Sequence, residues 1–196
     1  MIRLFSKSCK KLLDIHQEES FFVEATNSYD FKMAQCPSCG ATGKLSGYGH
    51  YSRNLVYYRD AKVIEAHVYP RRFSCRSCET THALLPGTII TPYSPYSLSF
   101  KLMVLAAYFE REMTVAAVCK RYNIAISTLY AWKERFNLHK TLLLGALVSR
   151  KKPALAFICS LLESVNISGL LKGFYFFHAF SFMQNKTTTA AYYRPP

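Results

Sequence analysis

Residues 114–132 read Thr114-Val115-Ala116-Ala117-Val118-Cys119-Lys120-Arg121-Tyr122-Asn123-Ile124-Ala125-Ile126-Ser127-Thr128-Leu129-Tyr130-Ala131-Trp132. Two helical segments are expected, Thr114 to Tyr122 and Ser127 to about Leu138, with only Asn123-Ile124-Ala125-Ile126 between them. So short a gap forces a sharp crossing. Cys119 is small, as required where two helices approach closely, and Asn123 tolerates the left-handed conformation of a tight turn. Val118, Tyr122, Ile124, Leu129 and Trp132 supply the shared core. Ser127, Tyr130, Ala131 and Lys133 then remain exposed on the second helix, with Ile126 at its entry, as candidate contacts to base edges in a major groove. Lys120, Arg121, Arg135 and Lys140 are placed for phosphates. Ala125 occupies the position where Ser or Thr usually caps, so Ser127 is expected to cap the helix and start it late.

Upstream, Ser97 is a plausible N-cap, and Leu102, Leu105, Ala106 and Phe109 form the stripe of an amphipathic helix running to about Glu110. With the two segments above it makes a tri-helical unit over 98–140. Pro86-Gly87 and Thr91-Pro92-Tyr93-Ser94-Pro95-Tyr96 continue neither a helix nor a central strand, which predicts an irregular linker over 86–97.

Before the linker stand two Cys-x-x-Cys units, Cys36/Cys39 and Cys75/Cys78, with 35 residues between them. The usual separation is about 15–20 residues. The intervening sequence accounts for the difference. After turn-rich Gly43 to Gly49, Tyr51 to Tyr58 is rich in aromatic and branched residues, Arg59-Asp60-Ala61-Lys62 reads as a turn, and Val63 to Tyr69 places Ile64, Ala66 and Val68 on one strand face. An antiparallel hairpin of any length brings its ends together. Four thiols on two tight knuckles suit structural Zn²⁺, with Cys36, Cys39, Cys75 and Cys78 as ligands and Gly40 supplying a positive φ. His82 is a substitute for one thiol, but the four-thiol set is complete without it. Cys9, Cys119 and Cys159 lack partners at ligand spacing; Cys119 and Cys159 read as small buried hydrophobes. The expected fold is therefore α+β: a zinc-ribbon β-hairpin module over 36–85, a tri-helical helix-turn-helix over 98–140, and a further C-terminal helix.

The chain has 196 residues, half of them hydrophobic, enough for a real core. Its formal charge of +13 favours a polyanionic partner. The surplus is uneven: five basic face five acidic residues in 1–35, seven face three in 36–97, eight face three in 98–150, and five face one in 151–196. Phosphate binding is thus expected least of the arm, 1–35, which carries an amphipathic piece from Leu4 to Ile15 and otherwise stays unassigned. Residues 141–196 read as helical, from Pro153 to Val165, then aromatic, from Phe174 to Phe180. No stretch is long and apolar enough to span a membrane, no signal peptide is evident, and paired cysteines fit a reducing compartment. A cytoplasmic protein without a membrane partner is expected.

Cys-Pro-Ser-Cys-Gly from Cys36, Gly-His-Tyr-Ser-Arg from Gly49, Arg-Arg-Phe-Ser-Cys-Arg-Ser-Cys-Glu-Thr-Thr-His-Ala-Leu-Leu-Pro from Arg71, and the helix-turn-helix resemble bacterial transposase-like proteins of uncharacterised function. They are similar to the zinc-ribbon and helix-turn-helix front ends of insertion-sequence transposases. The resemblance covers about residues 36–140 and implies DNA binding by the helices, with the ribbon accessory. Catalysis is not expected. Transposases with an RNase H-like core need three converging acidic residues, whereas Asp14, Asp30 and Asp60 all precede the second cysteine pair and only Glu163 follows the helix-turn-helix. His50 and Arg53 match the His-x-x-Arg of tyrosine recombinases without a recombinase domain around them. The expected function is sequence-specific binding of double-stranded DNA by a non-catalytic, transposon-associated or regulatory protein. The alternatives are a protein–protein interaction module using the C-terminal aromatics, or the DNA-binding part of a split transposase.

Overall fold

The chain between the two cysteine pairs folds into one long antiparallel ribbon. The computed structural model describes residues 2–4, 18–27, 29–86, 90–144 and 182–184. Within them, β2 (Leu45–His50), β3 (Arg53–Arg59), β4 (Lys62–Val68) and β5 (Arg71–Cys75) build the ribbon. Leu45 faces Cys75 at its base, His50 faces Arg71, Arg53 faces Val68, and Arg59 faces Lys62 at its tip. The register slips by one residue between Gly47 and His50, where Gly49 takes φ +94° and absorbs the bulge. The tip is a two-residue turn, Asp60-Ala61, with φ +50° and +59°, the handedness that matches strand twist. The turn lies where the sequence places it. Gly43 to Gly49 differs from expectation, because it is strand from Leu45 onward: β5 supplies a pairing partner, and a bulge tolerates the glycines that local propensity reads as turn.

β6 (Thr81–Pro86) pairs antiparallel with β5, and β1 (Ile2–Leu4) pairs parallel with β6, giving the order β1-β6-β5-β2. The N-terminal arm also supplies α1 (Glu18–Asn27), whose Phe22 packs with Leu55, Tyr57, Val68 and Ile90. Ile64 and Ala66 line the same cluster, as the strand alternation predicts. Tyr57 donates its hydroxyl hydrogen to Glu19 Oε1 at 2.6 Å.

The segment after β6 is irregular in backbone but tied to the ribbon. Val56 N–H donates to the Pro95 carbonyl and Ser97 N–H to the Val56 carbonyl, each at 2.9 Å. Arg53 donates to the carbonyls of Thr91 and Ser94, each at 2.9 Å, so its guanidinium closes this loop. From there α2 (Leu98–Glu110) begins on the expected cap, with Phe100 N–H donating to Ser97 Oγ at 3.1 Å. It stops at Arg111, which is left-handed. α3 (Val115–Arg121) is capped by Thr114, and Asn123 makes the expected left-handed turn at φ +49°. α4 (Ile126–Leu144) begins earlier and ends later than expected. Leu129 N–H already donates to the Ala125 carbonyl, so Ser127 lies inside the first turn instead of capping it. Val118, Cys119, Tyr122, Ile124, Leu129 and Trp132 are all buried in the helical core, which Val56 of β3 joins.

The amphipathic piece beyond Leu4, Cys9, Cys159, the expected helix Pro153 to Val165 and the aromatic run Phe174 to Phe180 lie outside the described residues. Among those described, no helix is long and apolar enough to cross a membrane.

Candidate functional site

At the ribbon base the two Cys-x-x-Cys units fold into matching knuckles. Gly40 N–H donates to the Cys36 carbonyl at 2.9 Å, and Glu79 N–H to the Cys75 carbonyl at 2.8 Å. Both donors have positive φ, +75° for Gly40 and +57° for Glu79. The glycine was readable; Glu79, which does the same work despite its Cβ, was not. Cys75 is brought opposite Leu45 by the ribbon register, and the sulfurs of Cys36, Cys39, Cys75 and Cys78 lie within 4.8 Å of one another. Cys36 Sγ is 3.7 Å from Cys78 Sγ, and Cys39 Sγ is 3.7 Å from Cys75 Sγ. Hydrogen bonds from Thr80, first its hydroxyl and then its main chain, pull the Cys78 thiol down to about 6, toward the thiolate that binds metals. His82 lies outside the sulfur cluster. Its ring is 3% exposed, opposite Phe73 on β5, with Nε2 3.4 Å from Cys36 Sγ. The arrangement is a possible metal site of four sulfurs, with an imidazole behind one of them.

The second group of sequence-chosen residues lies on α3 and α4. Ile126 is 50% and Tyr130 40% exposed, and Ser127, Lys120 and Arg121 are exposed too. Ala131, Lys133, Arg135 and Lys140 are half-buried. Tyr130 is held edge-on to Tyr108 of α2, centroids 6.4 Å apart, and Lys133 Nζ sits 5.2 Å from the Tyr108 ring centre and 5.6 Å from that of Tyr130. Arg121 Nε donates to the Tyr58 hydroxyl of β3 at 3.4 Å. Glu134 and Asn137, which the sequence reading did not single out, are exposed and share this outer face of α4. The signal was available, since Glu134 follows Tyr130 by one helical turn.

Arg135 falls elsewhere. Two positions on a helix are about 200° apart around its axis, so Arg135 and Lys133 take opposite flanks of α4. Arg135 lines a cavity of about 240 Å³ against the 91–96 segment, together with Lys101 and Trp132. Lys101 is 1% exposed, donates to Thr91 Oγ1 at 2.8 Å and lies 5.8 Å from the Trp132 ring centre. Burial, then the charges of Arg135 and Arg53, push its ammonium down to about 7. An ordinary lysine titrates near 10.5 in the unfolded chain. Between about 7 and 10.5 the unfolded state therefore holds more protons than the folded one, and stability rises with pH across that window. Denaturant midpoints measured between pH 7 and 10 should climb, and Lys101→Met should flatten the climb.

Residues 36–132 match the family model described as Domain of unknown function (DUF6431), from the first cysteine of the cluster to Trp132 of α4. No curated protein and no solved structure matches the chain.

Proposed function

We propose that the chain binds duplex DNA through α3, the Asn123 turn and α4, read as a helix-turn-helix, beside a structural Zn(Cys)4 knuckle. The observation that carries this reading is the two-sidedness of α4. Val118, Leu129 and Trp132 anchor its inner side, while Ile126, Ser127 and Tyr130 stay exposed on the first two turns, where a recognition helix meets base edges. Lys120 and Arg121 lie at the end of α3, suited to backbone phosphates. Lys133, stacked on Tyr108 and Tyr130, adds charge to a rim that needs little reordering on binding. Glu134 fits a role as acceptor for a cytosine amino group. The resemblance to the front ends of insertion-sequence transposases points the same way, and the chain's +13 charge suits a polyanion.

Four thiolates favour Zn²⁺ over harder cations. A tetrahedron with Zn–S bonds of about 2.3 Å has edges of about 3.8 Å, in keeping with the two 3.7 Å sulfur pairs. Cys36, Cys39, Cys75 and Cys78 would hold the ion, which supplies a crosslink and, with its coordination sphere full, no hydrolysis. No residue is given a catalytic role on this reading, and Arg53 is absorbed in closing the 91–94 loop.

Electrophoretic shift on duplexes selected from a random pool tests the proposal. Affinity should fall steeply with salt. Lys120→Ala should weaken every sequence alike and reduce the salt slope by about one, whereas Tyr130→Ala should change preference between sequences by about 1–3 kcal/mol. Absent or salt-insensitive binding overturns it.

A further inference from the structure

Lys101 is an ionisable side chain placed where a positive charge is unfavourable. It sits in the first turn of α2, where the helix macrodipole already repels a cation and no acidic residue compensates. Its named charged neighbours, Arg135 and Arg53, are both positive. No carboxylate lines the cavity among the described residues. The ammonium has three hydrogens to give, and Thr91 Oγ1 takes one. Arg53 is committed to two carbonyls of the cavity wall. Arg135 makes no hydrogen bond or ion pair among the described residues, and its side chain lines the same space as Lys101. A buried cation without a counter-charge costs several kcal/mol. Helical packing alone does not require one here, because Met or Leu would fill the position against Trp132 without that cost.

We propose that the cavity between the 91–96 segment and α4 is a binding site for a phosphate-type oxyanion, with Lys101 and Arg135 as its cationic partners. The volume, about 240 Å³, is several times the roughly 30 Å³ share of one water, so a tetrahedral oxyanion fits with solvent around it. Lys101, 1% exposed, supplies a point charge. The half-buried Arg135 supplies a planar guanidinium fork able to take two oxygens at once. Trp132 and Tyr96, packed edge to face at 4.9 Å, form an apolar part of the wall beside the two cations. The site lies on the flank of α4 opposite Lys133, so an oxyanion is recognised there whether or not the outer face meets a duplex.

The chain contains a single tryptophan, Trp132, and it lines the cavity, so its emission reports occupancy directly. Inorganic phosphate is titrated into the full chain at constant ionic strength balanced with chloride, with emission and heat recorded together. A saturable one-site curve is expected. Lys101→Met and Arg135→Gln should each weaken it at least tenfold, while Lys62→Gln at the hairpin tip, which does not line the cavity, leaves it unchanged. Arg135 is half-buried, so its variant keeps the test open should Lys101→Met fold poorly. A response that is absent, never saturates, or persists equally in all three variants overturns the site. A duplex oligonucleotide then identifies the source of the anion. If duplex displaces phosphate and Lys101→Met weakens duplex binding, the anion is a nucleic-acid backbone phosphate; if phosphate binds alongside the duplex, it is a free small oxyanion. The phosphate titration contains no DNA, so its failure and the failure of duplex binding are separate results.

Discussion

On the proposed zinc centre, Cys75→Ser is expected to unfold the ribbon base and abolish metal binding. Cys75 is buried, lies opposite Leu45 at the start of the ribbon, and belongs with Cys36, Leu45, Phe73 and Leu84 to one small cluster. So few side chains bury too little surface to order two knuckles by themselves. Structural zinc contributes an apparent ~10–16 kcal/mol in small metal-dependent folds, which exceeds what this cluster can replace. Metal analysis of the wild-type chain should return one zinc per chain, and the serine variant should return none. Amide exchange should show protection lost from β2, β5 and β6. The helical core shares no residue with the cysteine cluster, so protection of α2 to α4 should outlast it. Cys119→Ser, which changes a thiol of the helical core outside the cluster of four, should keep the metal. A wild-type chain that binds no metal and shows four freely titrating thiols at full stability would refute the centre.

The second large effect is expected at Trp132. Its ring meets Tyr96 at 4.9 Å and 75°, Phe100 at 6.1 Å and 85°, and the Lys101 ammonium at 5.8 Å. Through it α4 touches both α2 and the 91–96 segment. Trp132→Ala should cost ~3–5 kcal/mol, the range for emptying a large aromatic site, against a total stability of ~5–15 kcal/mol for a domain. The denaturant midpoint followed by circular dichroism should fall sharply, and duplex affinity should drop on every sequence, because the angle of α4 is no longer fixed. Trp132→Phe keeps the edge-to-face partners and should recover most of both. A midpoint unchanged in the alanine variant would show that something other than this ring holds α4.

What could be read from the residues, and what could not, divides along local and non-local lines. The Ser97 cap, the Asn123 turn, the five core positions around the α3–α4 crossing and the Asp60-Ala61 tip each depend on a few neighbouring residues, and each has its expected form. β1 and α1 depend on partners far along the chain: three residues near the N-terminus gain strand geometry only because β6 offers an edge, and Phe22 becomes core only because Leu55 and Ile90 await it. Nothing within residues 1–35 announces either. The start of α4 was misplaced for another reason. The usual cap chemistry is absent at Ala125, yet burial of Leu129 and Trp132 fixes the first turn without it. At the candidate site the four cysteines were legible by spacing, whereas the direction of Arg135 was not, since a residue on a helix flank faces whatever the tertiary structure brings beside it.

The ribbon is a spacer whose register changes once, at the bulge between Gly47 and His50, and is constant from Arg53 to Arg59. Val56, bound to the Pro95 carbonyl and Ser97 amide, lies opposite Glu65, ten residues before Cys75, so at a rise of ~3.3 Å per residue the sulfur cluster lies at most ~33 Å along the ribbon from the point where it grips the helices. Lengthening both strands by two residues would carry the two ends ~7 Å further apart while every inward side chain kept its side. Lengthening them by one would exchange the two buried faces of β3, carrying Leu55 and Tyr57 toward the helices and Val56 toward the Phe22 cluster. The distance between the cysteine end and the helical end is therefore adjustable only in steps of two.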